Sequence, residues 1–198
     1  MAVKQIVYVA TTPGRIEFIK NFLESIREYS GKYPIFIESA CGYDWFDFAR
    51  NHQWDELLFL HDSIEIKDLS FFDLVFETHK GKSVSFSGEP FFIMGLGKFL
   101  REPYLKASFP TKNAYMDYKD GEFTFGPEYV KYAGEKPVVL FPDFMDSERE
   151  DQGHKRPFEQ KFGRRNLILE NNYIKKYKGH WTRRMLYNLD KNGFPIPL

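Results

Sequence analysis

The sequence predicts an α/β protein built on a mixed, mainly parallel sheet flanked by helices. Three observations carry that expectation. Residues 55–66, DELLFLHDSIEI, run four apolar residues in succession, Leu57 to Leu60, straight into His61, Asp62 and Ser63, after which apolar alternation resumes. A short, continuously apolar run with polar residues at both ends marks a strand buried on both faces, the kind found inside a parallel sheet. Two more strand-like runs precede it, QIVYVA at 5–10 and YPIFI at 33–37, with a helical pattern in each gap. Strands that alternate with helices imply right-handed crossovers and parallel pairing. Finally, 198 residues with 42% apolar and 18% aromatic content are enough to bury a sizeable core.

The elements follow in order. After the first strand, Gln5 to Ala10, TTPGR turns the chain into a helix over 16–29. Ile16, Ile19, Phe22, Leu23 and Ile26 recur there at helical spacing, with Lys20, Glu24, Arg27 and Glu28 on the other side. Gly31 ends it, and the second strand closes with Glu38, Ser39 and a turn at Gly42. A short aromatic helix, Tyr43 to Asn51, leads to the third strand. Beyond it the spacing predicts a helix over 69–79, a strand over 83–87, and an apolar strand, turn and short helix in FFIMGLGKFLREPYLKA. Residues 117–125 are polar and aromatic, PVVLF at 137–141 reads as another buried strand, and 143–165 is a long charged stretch suited to a lid or exposed loop. Residues 166–177 have helical character, interrupted by KGHW at 178–181. No repeat or linker divides the chain, which points to a single domain over 1–198.

Composition excludes several classes. Lys plus Arg and Asp plus Glu both number 28, so the net charge is zero and no global field gathers nucleic acid or anionic membrane. Any phosphate site must be local. One cysteine, Cys41, cannot form an internal disulfide and fits a reducing, cytoplasmic setting, where it serves packing. No apolar run is long enough for a membrane span, so the expectation is a soluble protein.

The candidate site lies where the strands end. In open α/β sheets ligands bind outside the carboxyl ends of the strands, which is where Asp62 falls. An acid there can hold a metal and the phosphates it carries, or simply cap the next turn. Thr11, Thr12 and Arg15 follow the first strand and suit a phosphate or a base edge at a helix amino terminus. Glu38 and Ser39 follow the second, where Glu38 can accept from a ribose hydroxyl. Strand alternation turns His61 to the opposite face from Asp62.

This arrangement resembles the nucleotide-sugar half of a GT-A fold glycosyltransferase of the small family-2-like kind. In that fold the second strand ends in an acid that reads the nucleoside, and the third ends in an Asp-x-Asp-like motif that FLHDSIEI resembles. FFIMGLGKFLREPYLKA is similar to its acceptor-side segment. The resemblance spans residues 3–108, and implies a nucleotide-binding half over 1–66, an acceptor half and carboxyl-terminal lid over 67–198, and a UDP- or GDP-sugar donor with manganese or magnesium. It makes Asp62 a metal ligand and His180 a further one, with Lys178 reaching a phosphate. It places the base that deprotonates a hydroxyl acceptor in KDGEFTFGPEY, at Asp120 or Glu122, with Asp117 and Glu128 behind them. Basic residues in 155–165 would close over the diphosphate, and Phe91, Phe92, Tyr115, Phe123 and Trp181 offer faces for sugar stacking. Ser63 departs from the pattern, because a hydroxyl binds a hard cation more weakly than the usual second acid. A nucleotidyltransferase is the first alternative, though TTPGR is a poor version of its Gly-rich loop. A non-catalytic carbohydrate-binding or virion-type structural protein is the second, supported by Ser63. GKS at 81–83 lacks an upstream glycine and precedes a strand, and Gly95-Leu96-Gly97 lacks a third glycine, so neither supports an ATPase or dehydrogenase.

Overall fold

A computed structural model of the chain describes residues 3–11, 16–39, 43–86, 97–108, 121–142, 166–178, 187–189 and 195–197. Its centre is a mixed, mostly parallel six-stranded sheet flanked by helices. The strands are β1 (Gln5–Thr11), β2 (Ile35–Ser39), β3 (Glu56–His61), β5 (Val84–Ser85), β6 (Gly97–Leu100) and β7 (Val138–Val139), in the order β2-β1-β3-β6-β5-β7. β2, β1 and β3 run parallel, β6 is antiparallel to both β3 and β5, and β7 is parallel to β5.

Period-two alternation sorts the central strands onto two cores. Ile6, Tyr8 and Ala10 of β1 and Leu57 and Phe59 of β3 pack with Phe46, Phe48 and Ala49 of α2 (Tyr43–Asn51), Tyr104 of α4 (Arg101–Ala107), and Phe125 and Tyr129 of α5 (Gly121–Ala133). The intervening Val7, Val9, Leu58 and Leu60 face Phe22 of α1 (Ile16–Ser25) and Phe71 and Phe72 of α3 (Ser70–Asp73). α3 widens into a π-helical turn over Leu74–Thr78 that adds Val75 and Phe76 to that core. Each such side chain contributes about 1.5–3 kcal/mol relative to exposure. A second sheet, β4 (Ile64–Ile66), β9 (Ile174–Lys178) and β8 (Asn166–Glu170), leaves the end of β3 on the α1 side. β10 (Tyr187–Leu189) and β11 (Pro195–Pro197) form a separate antiparallel pair.

Several expectations need correction. The first helix stops at Ser25, not at residue 29. Ser25 Oγ donates to Phe22 O at 2.6 Å and accepts from Ile66 N at 3.0 Å, tying the helix end to β4, and the backbone beyond goes on in three-residue turns, Arg27 N to Glu24 O and Tyr29 N to Ile26 O. Residues 166–177 are not helical but form the β8–β9 hairpin, because Asn171 makes the turn: its Oδ1 accepts from Tyr173 N at 2.8 Å and Ile174 N at 2.9 Å. The 137–141 segment is a strand only at Val138 and Val139 and is not buried, since Val139 on the outermost strand keeps 36% exposure. Helix α5 has no counterpart in the sequence expectations, which describe 117–125 only as polar and aromatic. Core packing by Phe125 and Tyr129 outweighs the amide that Pro127 withholds. The 143–165 stretch expected as a lid lies outside the described residues, as does most of KGHW.

Candidate functional site at the strand ends

The register places three strand ends side by side. Thr11 is paired with Ser39, and Ala10 with both Glu38 and His61. Pairing continues one residue past β3, where Asp62 N donates to Ala10 O at 3.1 Å. Parallel strands leave their carboxyl ends on one edge, so Thr11, Glu38, Ser39 and Asp62 converge although they are distant in sequence.

Alternation then divides these groups between the two faces. Thr11 Oγ1 donates to Asp62 Oδ2 at 2.7 Å on the α1 side. His61 turns to the α2 side, with its ring centroid 5.7 Å from Phe59 and 6.0 Å from Trp45. Glu38 is exposed on that same side and accepts from Tyr8 Oη at 3.4 Å. Burial, and secondarily the charge of Glu38, hold the Tyr8 phenol far above its ordinary range, so it stays a donor. The indole Nε1 of Trp45 is buried and has no hydrogen-bond partner among the described residues.

A residue the sequence reading did not single out completes the α1 side. Lys176, on β9 opposite Ile64, donates from Nζ to Ser63 Oγ at 2.9 Å, and Tyr177 N donates to Ser63 O at 2.9 Å. Asp62 is 1% exposed, Ser63 2% and Lys176 8%. A carboxylate, a hydroxyl and an ammonium are thus packed in one buried turn. The signal for Lys176 was present in IKKYK after Asn171-Asn172, a polar turn followed by alternation, but it is invisible once the segment is read as a helix.

Of the other expected site residues, Thr12, Arg15, Asp120 and His180 lie outside the described residues. Glu122 stands in the first turn of α5 and Lys178 ends β9, paired with Asn166; only their backbone positions are described. The described donors bring Asp62 to the α1 side of the strand edge and Glu38 to the α2 side; Thr11 donates to Asp62, and the Lys176 ammonium donates to Ser63 Oγ. Among the described residues no group of three His, Cys, Asp or Glu side chains gathers. Magnesium that carries a diphosphate is held by one or two carboxylates, with phosphate oxygens and water completing its shell, and Asp62 is the described carboxylate on the α1 side of the edge. A groove of about 360 Å³ lies elsewhere, beside edge strand β7, lined by Leu74, His79, Val139, Phe141, Asn171 and Tyr173 among others. None of the strand-end residues lines it. No described helix is long and apolar enough to cross a membrane.

No protein-family model matches the chain, and no curated protein or solved structure matches it.

Proposed function

We infer that the chain is a glycosyltransferase of GT-A type that passes a sugar from a UDP- or GDP-sugar to a hydroxyl acceptor. One observation supports this reading above the others: the ends of three adjacent parallel strands bring Thr11, Glu38 and Asp62 to one edge, and antiparallel β6 continues the sheet on the far side of β3. In the reaction the acceptor oxygen bonds to the anomeric carbon as the bond from that carbon to the diphosphate breaks. The diphosphate leaves with the electron pair. For inversion, the acceptor proton passes to a carboxylate, Asp120 or Glu122. Manganese or magnesium, the cation that the resemblance implies, would be held by Asp62 and His180 and would neutralise the departing diphosphate.

The reading requires a ligand to reach a carboxylate that is 1% exposed, which makes binding itself the test. Thermal unfolding is followed with UDP, GDP, their sugars and free glycans, with and without manganese. A nucleotide at a hundred times its dissociation constant adds about 2.7 kcal/mol. Asp62→Ala should remove that shift while the far-ultraviolet spectrum stays native. Stabilisation by a free glycan alone would instead make the chain a binding module, and unchanged nucleotide binding in Asp62→Ala would remove Asp62 from the site.

A further inference from the structure

We propose that β2, the open edge of the six-stranded sheet, pairs antiparallel with β2 of a second copy of this chain. An edge strand presents main-chain N–H and C=O groups that another strand can take up, and proteins blunt such edges with short strands, proline, charge or a covering element. The two edges of this sheet differ in that respect. β7 is two residues long, with Pro137 directly before it and Pro142 soon after. β2 runs five residues, IFIES, and no described strand lies outside it.

Pairing parity shows which groups β2 offers. Val7 N donates to Pro34 O at 2.8 Å, and the register with β1 runs on from Val7 opposite Ile35 to Thr11 opposite Ser39. Alternation along the strand turns the main-chain groups of Pro34, Phe36 and Glu38 towards β1 and those of Ile35, Ile37 and Ser39 away from it. The N–H that Pro34 lacks is therefore missing from the inner side. Among the described residues nothing bonds to the outward main chain of Ile35 or Ile37. Their side chains share the α1 face, where Ile35 is half-buried and Ile37 keeps 36% exposure. Leu23 of α1, the helix on that face, is also exposed. Phe36 is half-buried on the other face, 5.4 Å from the rings of both Phe48 and His52.

A second copy fits because the strand complements itself. In a two-fold antiparallel register centred on Phe36, Ile35 of each copy stands opposite Ile37 of the other and exchanges both main-chain hydrogen bonds with it. The two Phe36 rings then meet across the axis on one face, and the isoleucines of both copies adjoin on the other, aromatic and β-branched pairs of the kind that stabilise sheets. Glu38 falls opposite Pro34, so the two carboxylates lie at opposite ends of the paired segment. Each also leans back over β1, where it accepts from Tyr8 Oη at 3.4 Å. Other registers are poorer. Centring on Ile37 sets Glu38 against Phe36 and Ile35 against Ser39, and centring on Glu38 sets like charges face to face.

A strand pair of this length is small beside the roughly 1,200–2,000 Å² that stable complexes bury, so the association is weak and concentration-dependent. Sedimentation velocity of the full chain from about 1 µM to about 500 µM should show a reversible monomer–dimer equilibrium. Hydrogen exchange at the Ile35 and Ile37 amides should slow by about fivefold over the same range. Ile37→Lys should stay monomeric throughout with a native far-ultraviolet spectrum, because the side chain it replaces is already exposed. A wild-type chain that remains monomeric overturns the proposal and leaves the edge to a different chain or to solvent. So does dimerisation with unchanged exchange at Ile35 and Ile37, a result that places the contact elsewhere and decides the matter even if Ile37→Lys does not fold. A folded Ile37→Lys chain that dimerises like wild type overturns it as well.

Discussion

Lys98→Met should destabilise the protein by about 3–5 kcal/mol, because it splits a buried ion pair and leaves the acid behind. Lys98 of β6 is fully buried, 3.2 Å from Glu56 Oε2, and donates to His79 O at 2.7 Å. At an effective dielectric of about 20, that separation corresponds to a gross attraction of roughly 5 kcal/mol. Burial nevertheless lowers the Lys98 pKa in spite of the neighbouring acid, so desolvation outweighs the attraction. The pair is thus costly to keep and costlier to split. Glu56 retains Gln5 Nε2 at 2.8 Å and Gly81 N as donors, which soften the loss without replacing the charge. Adding Glu56→Gln removes the stranded charge, and the double variant should regain at least half of what Lys98→Met loses. Urea unfolding of the four proteins gives the coupling directly. A single variant within about 1 kcal/mol of wild type, or a double variant that loses the sum of the two singles, would refute the reasoning.

Two further outcomes follow from other polar clusters. Asp73 and Glu77 flank Lys32 Nζ at 2.7 and 3.2 Å, and both carboxyls are held below their ordinary values of 3.8 and 4.5, first by Lys32 and then by the Tyr33 hydroxyl. Their folded-state affinity for protons is the weaker one, so their contribution is complete above those values and is lost as pH falls through the depressed ones. Lys32→Met should flatten that acid limb in denaturant titrations at low salt, and an unchanged slope would assign the limb to other groups. Asn171→Ala should cost about 1–2 kcal/mol by leaving the Tyr173 and Ile174 amides without their side-chain acceptor. Faster hydrogen exchange confined to β8 and β9 is the readout, and exchange accelerated across the whole chain would contradict it.

β1 and β3 were legible because burial there is two-sided. Leu57 to Leu60 carry no polar residue, so only a central strand accommodates them, and the flanking helix of Tyr43–Asn51 shows its apolar face at helical spacing. The later part was not legible where tertiary contacts override local signals. Tyr129 accepts from Leu100 N at 2.8 Å and shares a 2.7 Å hydrogen bond with Ser83, and these partners hold α5 across Gly126-Pro127. Neither partner is near it in sequence. NLILENNYIKKYK satisfies a helical spacing of apolar residues as well as a strand one, and only the partner strand β4 selects between them. The site followed the same division. Asp62 and Thr11 were readable from strand ends, whereas Lys176 arrives from 113 residues away through a hairpin that is hidden once its segment is read as a helix.

Under the proposed nucleotide reading, the two faces of the strand edge would meet different parts of one ligand. On the α2 side the rings of Trp45 and His61 are partly exposed and Glu38 is exposed, so a base and ribose hydroxyls would meet these groups, whereas the Tyr8 ring is fully buried. On the α1 side Thr11 donates to Asp62 and Lys176 donates to Ser63, so a phosphate there would meet one ammonium and be repelled by the Asp62 carboxylate. Neighbouring residues on a strand alternate between faces, so His61 and Asp62 cannot serve the same part of a ligand. A nucleoside diphosphate bound in this way would cross the sheet edge between β1 and β3. Variants on the α2 side should then alter the choice of base, and variants on the α1 side the preference for diphosphate over nucleoside.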